Sequence, residues 1–328
     1  MILAGIDEAG YGPLLGPLVV GCCAFVVDGV DPTGELPCLW KRLKKITSKN
    51  RSKTGRKLYI NDSKLVYSPS AGLKELERSV LAVAGTLGSS YCERLEDFIE
   101  LTASHAVADL AEHRWYVPFD GETFPLEQQS ASIRVMSNGL KAEMEQSGTR
   151  CVHLAARLVP ERQFNRMVEA TRNKSSALFS IAAIHLDQLL KTYGRDGLVI
   201  FCDRQGGRGH YGHLLRLMFE EWAMEIVCET ISDKNGRSEY RLTRGSDVVR
   251  IIFCEKAEAQ CMPVALASML SKYLRETTMR RFNAFWRQHL PEIEPTAGYY
   301  GDGERFLNDI DVKRRELGIA DHELIRCR

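Results

Sequence analysis

No stretch of this sequence approaches the ~18 consecutive apolar residues that a membrane-spanning helix needs, and the longest candidate is interrupted by Asp28. The start has no basic region, and Asp7 and Glu8 come too early for a secretory signal. Ten cysteines are present, yet no two stand as C-x-x-C, and several lie inside apolar runs such as 19–25. That pattern favours buried free thiols in a reducing compartment over a disulfide frame or a zinc site. Internal repeats are missing, and low complexity is confined to one basic stretch. These absences weaken the membrane and secreted classes, and a cytoplasmic protein is expected.

Net charge is nearly absent as well, since 44 Lys+Arg stand against 43 Asp+Glu in 328 residues. The balance is uneven along the chain. Residues 41–57 hold nine Lys/Arg and no acid, so the remainder is net acidic. Such an arm suits an anionic partner such as nucleic acid, or is a solvated loop. Apolar patterning predicts strands over 1–7, 17–27, 151–159, 197–202 and 248–254. It predicts helices over 73–83, 176–190 and 263–286, the last opened by Pro263. Asn235-Gly236 marks a hairpin turn, 118–121 a break, and 86–148 an irregular helical region. Strands first, then strands alternating with helices, predict a mixed α/β sheet flanked by helices.

Two segments share a grammar. Leu3-Ala4-Gly5-Ile6 runs into Asp7-Glu8, and Val199-Ile200-Phe201-Cys202 runs into Asp203. Each is a buried strand delivering a carboxylate at its C-terminal end, where open α/β sheets place their sites. Carboxylates gathered there repel one another and call for a cation. Hard oxygen ligands favour Mg²⁺ or Mn²⁺, which suits phosphate chemistry. Strand-end solvation or helix capping is the plain alternative for any one of these acids. The loop 204–210 can cradle a phosphate or be an ordinary strand–helix turn, and His210 and His213 can touch a site water or be merely solvated.

Gly5-Ile6-Asp7-Glu8-Ala9-Gly10-Tyr11-Gly12-Pro13, followed by an apolar strand, resembles the opening of type 2 ribonuclease H (ribonuclease HII). Asn61-Asp62-Ser63-Lys64 is similar to that family's D-S-K motif, and residues 265–276 to its A-A-A-S-I-L-A-K-V-x-R-D helix. Gly298-Tyr299 corresponds to a G-Y near the family's C-terminus, and the order of all four is the family's. The resemblance implies a ribonuclease H-like catalytic domain over 1–300, with an insertion at about 86–148, and a C-terminal helical tail over 301–328. It implies hydrolysis of the RNA strand of RNA–DNA hybrids, or of ribonucleotides embedded in DNA, leaving 5′-phosphate and 3′-hydroxyl ends. Asp7, Glu8, Asp203 and Glu276 are implied as catalytic carboxylates holding two divalent ions, Mg²⁺ or Mn²⁺. Gly10, Tyr11, Gly12, Ser63, Lys64, Lys272 and Tyr299 are implied as substrate contacts.

The sequence departs from the family in three places. Tyr11 replaces an arginine, Glu276 replaces an aspartate, and Asp203 is followed by Arg204-Gln205 in place of a glycine. Lys272 and Glu276, four apart, also form a potential ion pair, in the poorer orientation for one. A non-catalytic nucleic-acid-binding protein on the same fold, or a nuclease acting on structured DNA, are the alternatives. Trp286 is expected in the core, and the tail is expected to be a solvated charged helix.

Overall fold

The computed structural model describes residues 1–88, 92–117, 123–229 and 236–327. The expected break at 118–121 and Asn235 of the expected hairpin turn lie outside the described residues. β1 (Ile2–Ala9) and β2 (Leu18–Val27) are antiparallel neighbours joined by the Gly/Pro turn 10–17. The basic stretch is built on α1 (Leu39–Arg42) and a small parallel ladder of β3 (Thr47–Ser48) and β4 (Leu58–Tyr59), and α2 (Ser63–Val66) follows. Helices α3 (Lys74–Ala84), α4 (Leu95–Ala103), α5 (Ala106–Ala111) and α6 (Ser130–Gln146) lead into β5 (Thr149–Val159). Next come α7 (Glu161–Thr171), α8 (Lys174–Tyr193), β6 (Leu198–Asp203), α9 (Gly212–Met218) and β7 (Ala223–Glu229). The hairpin partner β8 (Arg237–Arg244), β9 (Asp247–Cys254), α10 (Ala257–Gln260), α11 (Met262–His289), α12 (Tyr300–Glu316) and α13 (Asp321–Leu324) complete the chain.

Among the described residues, seven strands form one mixed sheet in the order β5-β2-β1-β6-β9-β8-β7, as the alternation of strands and helices predicts. β1, β6 and β9 are its parallel centre and the outer pairings are antiparallel. Residues of one parity, among them Ile2, Ala4, Ile6, Leu198, Ile200 and Cys202, pack under α8. The other parity, with Leu3, Val199 and Phe201, packs under α11. α11 lies very close to the sheet. A Cβ on Gly5 would fall 2.1 Å from the Val264 backbone nitrogen, so only glycine admits the helix there.

The described residues of 86–148 add to the α11-side core. Trp115 and Tyr116 are buried, and Trp115 meets Phe282 and Phe285 edge-on. Trp286 is fully buried, as expected. The tail expected to be solvated packs instead. Phe306 and Ile310 of α12 are buried, because its apolar residues recur at i and i+4 on one face. Beyond α13, the Arg326 backbone N–H donates to the Leu14 carbonyl at 2.8 Å, and its guanidinium donates to the carbonyls of Gly10 and Tyr11. Among the described residues, no helix is long and apolar enough to cross a membrane.

Candidate active site

The parallel register pairs Ile6 of β1 with Cys202 of β6. One residue further, each strand carries an acid, Asp7 near the end of β1 and Asp203 at the end of β6, so the two carboxylates leave neighbouring strands on the α11 side. Asp203 is in turn paired with Cys254 on β9, and the chain after β9 turns back through Lys256, in a left-handed conformation, into the single turn α10. That turn donates the Ala257 N–H to Asp203 Oδ1 at 3.1 Å and carries Glu258. Ser268 of α11 hydrogen-bonds the Asp7 carboxyl, and the Ser271 hydroxyl donates to the Asp7 backbone oxygen at 3.1 Å.

Charge is concentrated here against its own repulsion. Burial raises the Asp7 carboxyl well above its usual range, and Glu8 and Asp203 raise it further. Burial pushes Glu8 up to about 8, with Asp203 adding to the effect and Lys64 opposing it. Asp203 and Glu258 are raised by burial as well, and Glu258 also feels Asp203 and Asp62. Glu8 Oε2 is buried without a hydrogen-bond partner. Oxygen-only donors, mutual repulsion and an orphaned carboxylate oxygen fit a hard divalent cation. Among the described residues, no three of these acids bring an oxygen each within 4.8 Å of one another.

Glu258 is the acid that the sequence reading missed. The signal was present, since Ile251-Ile252-Phe253-Cys254 is a third buried strand running into acids. Glu255 is the first of them, but it is exposed and pairs with Arg204 at 2.8 Å. Glu276 is not brought to the cluster. It stands eight residues beyond Ser268, ~12 Å along the helix axis. There Tyr67 donates to it at 2.8 Å and Lys272 at 2.7 Å. Lys272 is thereby turned from substrate to Glu276, with its ammonium 4.6 Å from the centre of the Tyr67 ring.

The remaining expected contacts surround the acids. Asp62 caps α2 by accepting from the Lys64 N–H, and this places Lys64 beside Glu8, Asp203 and Glu258. Ser63 is buried and accepts from the Ser268 hydroxyl at 3.0 Å, so it braces the helix. Tyr11 lies on the Glu8 side, under Lys174 and close to Arg208. Gly10 has φ +88°, and a Cβ there would meet Arg275 Nε at 2.4 Å, whereas at Gly12 it would meet nothing. Gly12 is therefore free of internal packing and open on its outer side. Tyr299 is half exposed below the Arg275 guanidinium. The Gly298 carbonyl accepts the N–H groups of Leu14 and Leu15, which draws the G-Y loop against the turn 10–17. In the loop 204–210, Arg204 is tied to Glu255 and Arg208 to the Ser175 hydroxyl, while His210 pairs with Glu229 at 2.7 Å.

No protein-family model matches the chain. Three curated ribonuclease HII proteins are similar to parts of it. That of Chlamydia abortus is 39% identical over 77 residues, 24% of this chain and 32% of the relative. That of Chlamydia caviae is 30% identical over 129 residues, 38% of this chain and 49% of the relative. That of Gluconobacter oxydans is 34% identical over 83 residues, 25% of this chain and 39% of the relative. The chain thus spans half or less of the length of the curated relatives it matches. Among solved structures, the ribonuclease H2 of Pyrococcus horikoshii aligns over 99% of this chain and 92% of its own, at 14% identity and a TM-score of 0.43.

Proposed function

We propose that this chain, a divergent relative of ribonuclease HII, is a divalent-metal-dependent endoribonuclease. Its substrates are the RNA strand of RNA–DNA hybrids or ribonucleotides embedded in DNA, and it leaves 5′-phosphate and 3′-hydroxyl ends. The observation that carries this reading is the gathering of Asp7, Glu8, Asp203 and Glu258 at the ends of three adjacent parallel strands, with Glu8 Oε2 left unpaired. These four would hold Mg²⁺ or Mn²⁺. Such ions, when bound in a pair, supply an activated water and neutralise charge at the phosphate.

The chain's own residues supply orientation. Gly12 leaves backbone open to a sugar, and Tyr299, half exposed, and Tyr11, partly exposed, offer ring surface for a nucleotide. Lys64 stands at the mouth of the cluster for the phosphate. Contact to a 2′-hydroxyl is what separates RNA from DNA at such a turn.

Cleavage of labelled hybrid, single-ribonucleotide and all-DNA duplexes with Mg²⁺ or Mn²⁺ tests the proposal. Asp7→Asn, Asp203→Asn and Glu258→Gln are expected to lower turnover at least about a hundredfold. Glu276→Gln is expected to stay within about threefold of wild type, since its partners are Lys272 and Tyr67. Undiminished cleavage by both aspartate variants would overturn the assignment. Tight binding without turnover under either ion would make the chain a binding protein.

A further inference from the structure

On the sheet face away from α11, Cys22 of β2, His153 of β5 and His185 of α8 each bring one ligand atom within 4.8 Å of the others. The register accounts for two of the three. Cys22 pairs with Ala155 and His153 with Ala24, so both side chains leave the same face of adjoining strands. α8 covers that face and buries His185 completely.

The imidazoles are set up as ligands. His185 Nε2 lies 2.9 Å from the Val20 carbonyl oxygen. A carbonyl only accepts, so the ring proton is on Nε2 and Nδ1 keeps its lone pair. That Nδ1 is buried and has no partner, and the same is true of His153 Nε2 and His105 Nε2. The three histidines border one open cleft of about 500 Å³. Three buried, unpaired ring nitrogens beside one cleft are costly unless something binds them.

We propose that Cys22, His153 and His185 form a zinc site distinct from the carboxylate cluster. A thiolate with two imidazoles is a zinc donor set, and hard Mg²⁺ or Mn²⁺ does not select it. The Nε2–H to carbonyl bond of His185 is the outer-shell contact that orients a metal-bound histidine. Zinc bonded to sulfur at ~2.3 Å and nitrogen at ~2.0 Å sets neighbouring ligand atoms about 3.5 Å apart. Side-chain rotation closes the remaining ångström or so.

Neutral imidazole and thiolate are the forms that ligate, so the Cys22 thiol proton leaves to solvent as the ion binds. Arg157 faces the same cleft and opposes a cation there, and the Cys22 thiolate offsets that by cancelling one of the ion's two charges. The fourth position opens toward the cleft and His105. The site would pin β2, the strand beside β1, to the edge strand β5 and to α8.

The test takes chelated protein, adds Zn²⁺ or Co²⁺ in the presence of excess Mg²⁺, and measures bound metal by mass spectrometry. With Co²⁺ it also records the thiolate-to-metal charge-transfer absorption. One tightly held Zn²⁺ per chain and the charge-transfer band are expected. Both should be lost in Cys22→Ser and in His153→Gln, and both kept in Asp203→Asn. His153 lies on an edge strand and is only partly buried, so its variant keeps the test alive if Cys22→Ser fails to fold. Absence of the band in wild type, its persistence in His153→Gln, or its loss in Asp203→Asn would each overturn the proposal.

Discussion

Glu161 shows how one buried carboxyl shapes the site from a distance. It accepts from the Gly16 N–H at 3.0 Å and from the Tyr116 hydroxyl at 2.9 Å, and it is fully buried. It therefore fixes the far end of the turn 10–17. Burial raises its pKa from 4.5 to about 7. Between these values the unfolded chain gives up the proton while the folded chain keeps it, so stability falls as pH rises through this window and levels off above pH 7. The cost reaches up to about 3 kcal/mol. Glu161→Gln keeps an acceptor for both donors without an ionisable group. Its stability in urea at pH 8 should equal or exceed that of wild type, and the difference should vanish near pH 4.5. An identical pH profile for the two proteins would refute this.

Among the elements, α11 does the most for the site, because it sits on the sheet closely enough for Ser268 and Ser271 to reach Asp7. Gly5→Ala sets a methyl against the Val264 backbone, which cannot rotate away. A loss of at least about 3 kcal/mol in denaturant melts is expected, with cleavage falling as the helix lifts. A near-neutral effect would mean that the helix has room to rise from the sheet.

Long elements such as α8 and α11 are legible because their apolar periodicity extends over many turns, and the strands that end in Asp7 and Asp203 are legible as apolar runs broken by acid. Glu258 escapes because its strand is followed by a left-handed residue and a single helical turn, too short to carry a period. Glu276 misleads for the opposite reason. Spacing along a helix shows which face a residue occupies, but not whether that face still overlies the strand ends two turns later. The Cys22, His153 and His185 grouping cannot be read from spacing, since its members come from three elements joined only by strand register and packing.

Across the whole molecule, charge is arranged so that the basic arm borders the acids. Lys49 donates to the Ala259 carbonyl at 2.6 Å, one residue from Glu258, while Lys44, Lys53 and Arg56 are exposed. Replacing these last three with Gln should weaken hybrid binding and flatten its dependence on salt. The log–log slope should fall by about 0.9 for each phosphate that the arm no longer neutralises. Single-turnover cleavage at saturation should be nearly unchanged. Unaltered binding would reduce the arm to a solvated loop.

The clasp of Arg326 on Gly10, Tyr11 and Leu14 sets an order of events during synthesis. The two sides of the clasp are 316 residues apart in sequence, so the turn that would receive the nucleotide is made long before the residue that secures it. A ribosome-bound chain can complete its sheet and gather its carboxylates while that turn is still unlatched. Chains truncated before residue 320 should hold their secondary structure in circular dichroism yet bind hybrid poorly, and hybrid binding equal to that of the full chain would refute a role for the clasp.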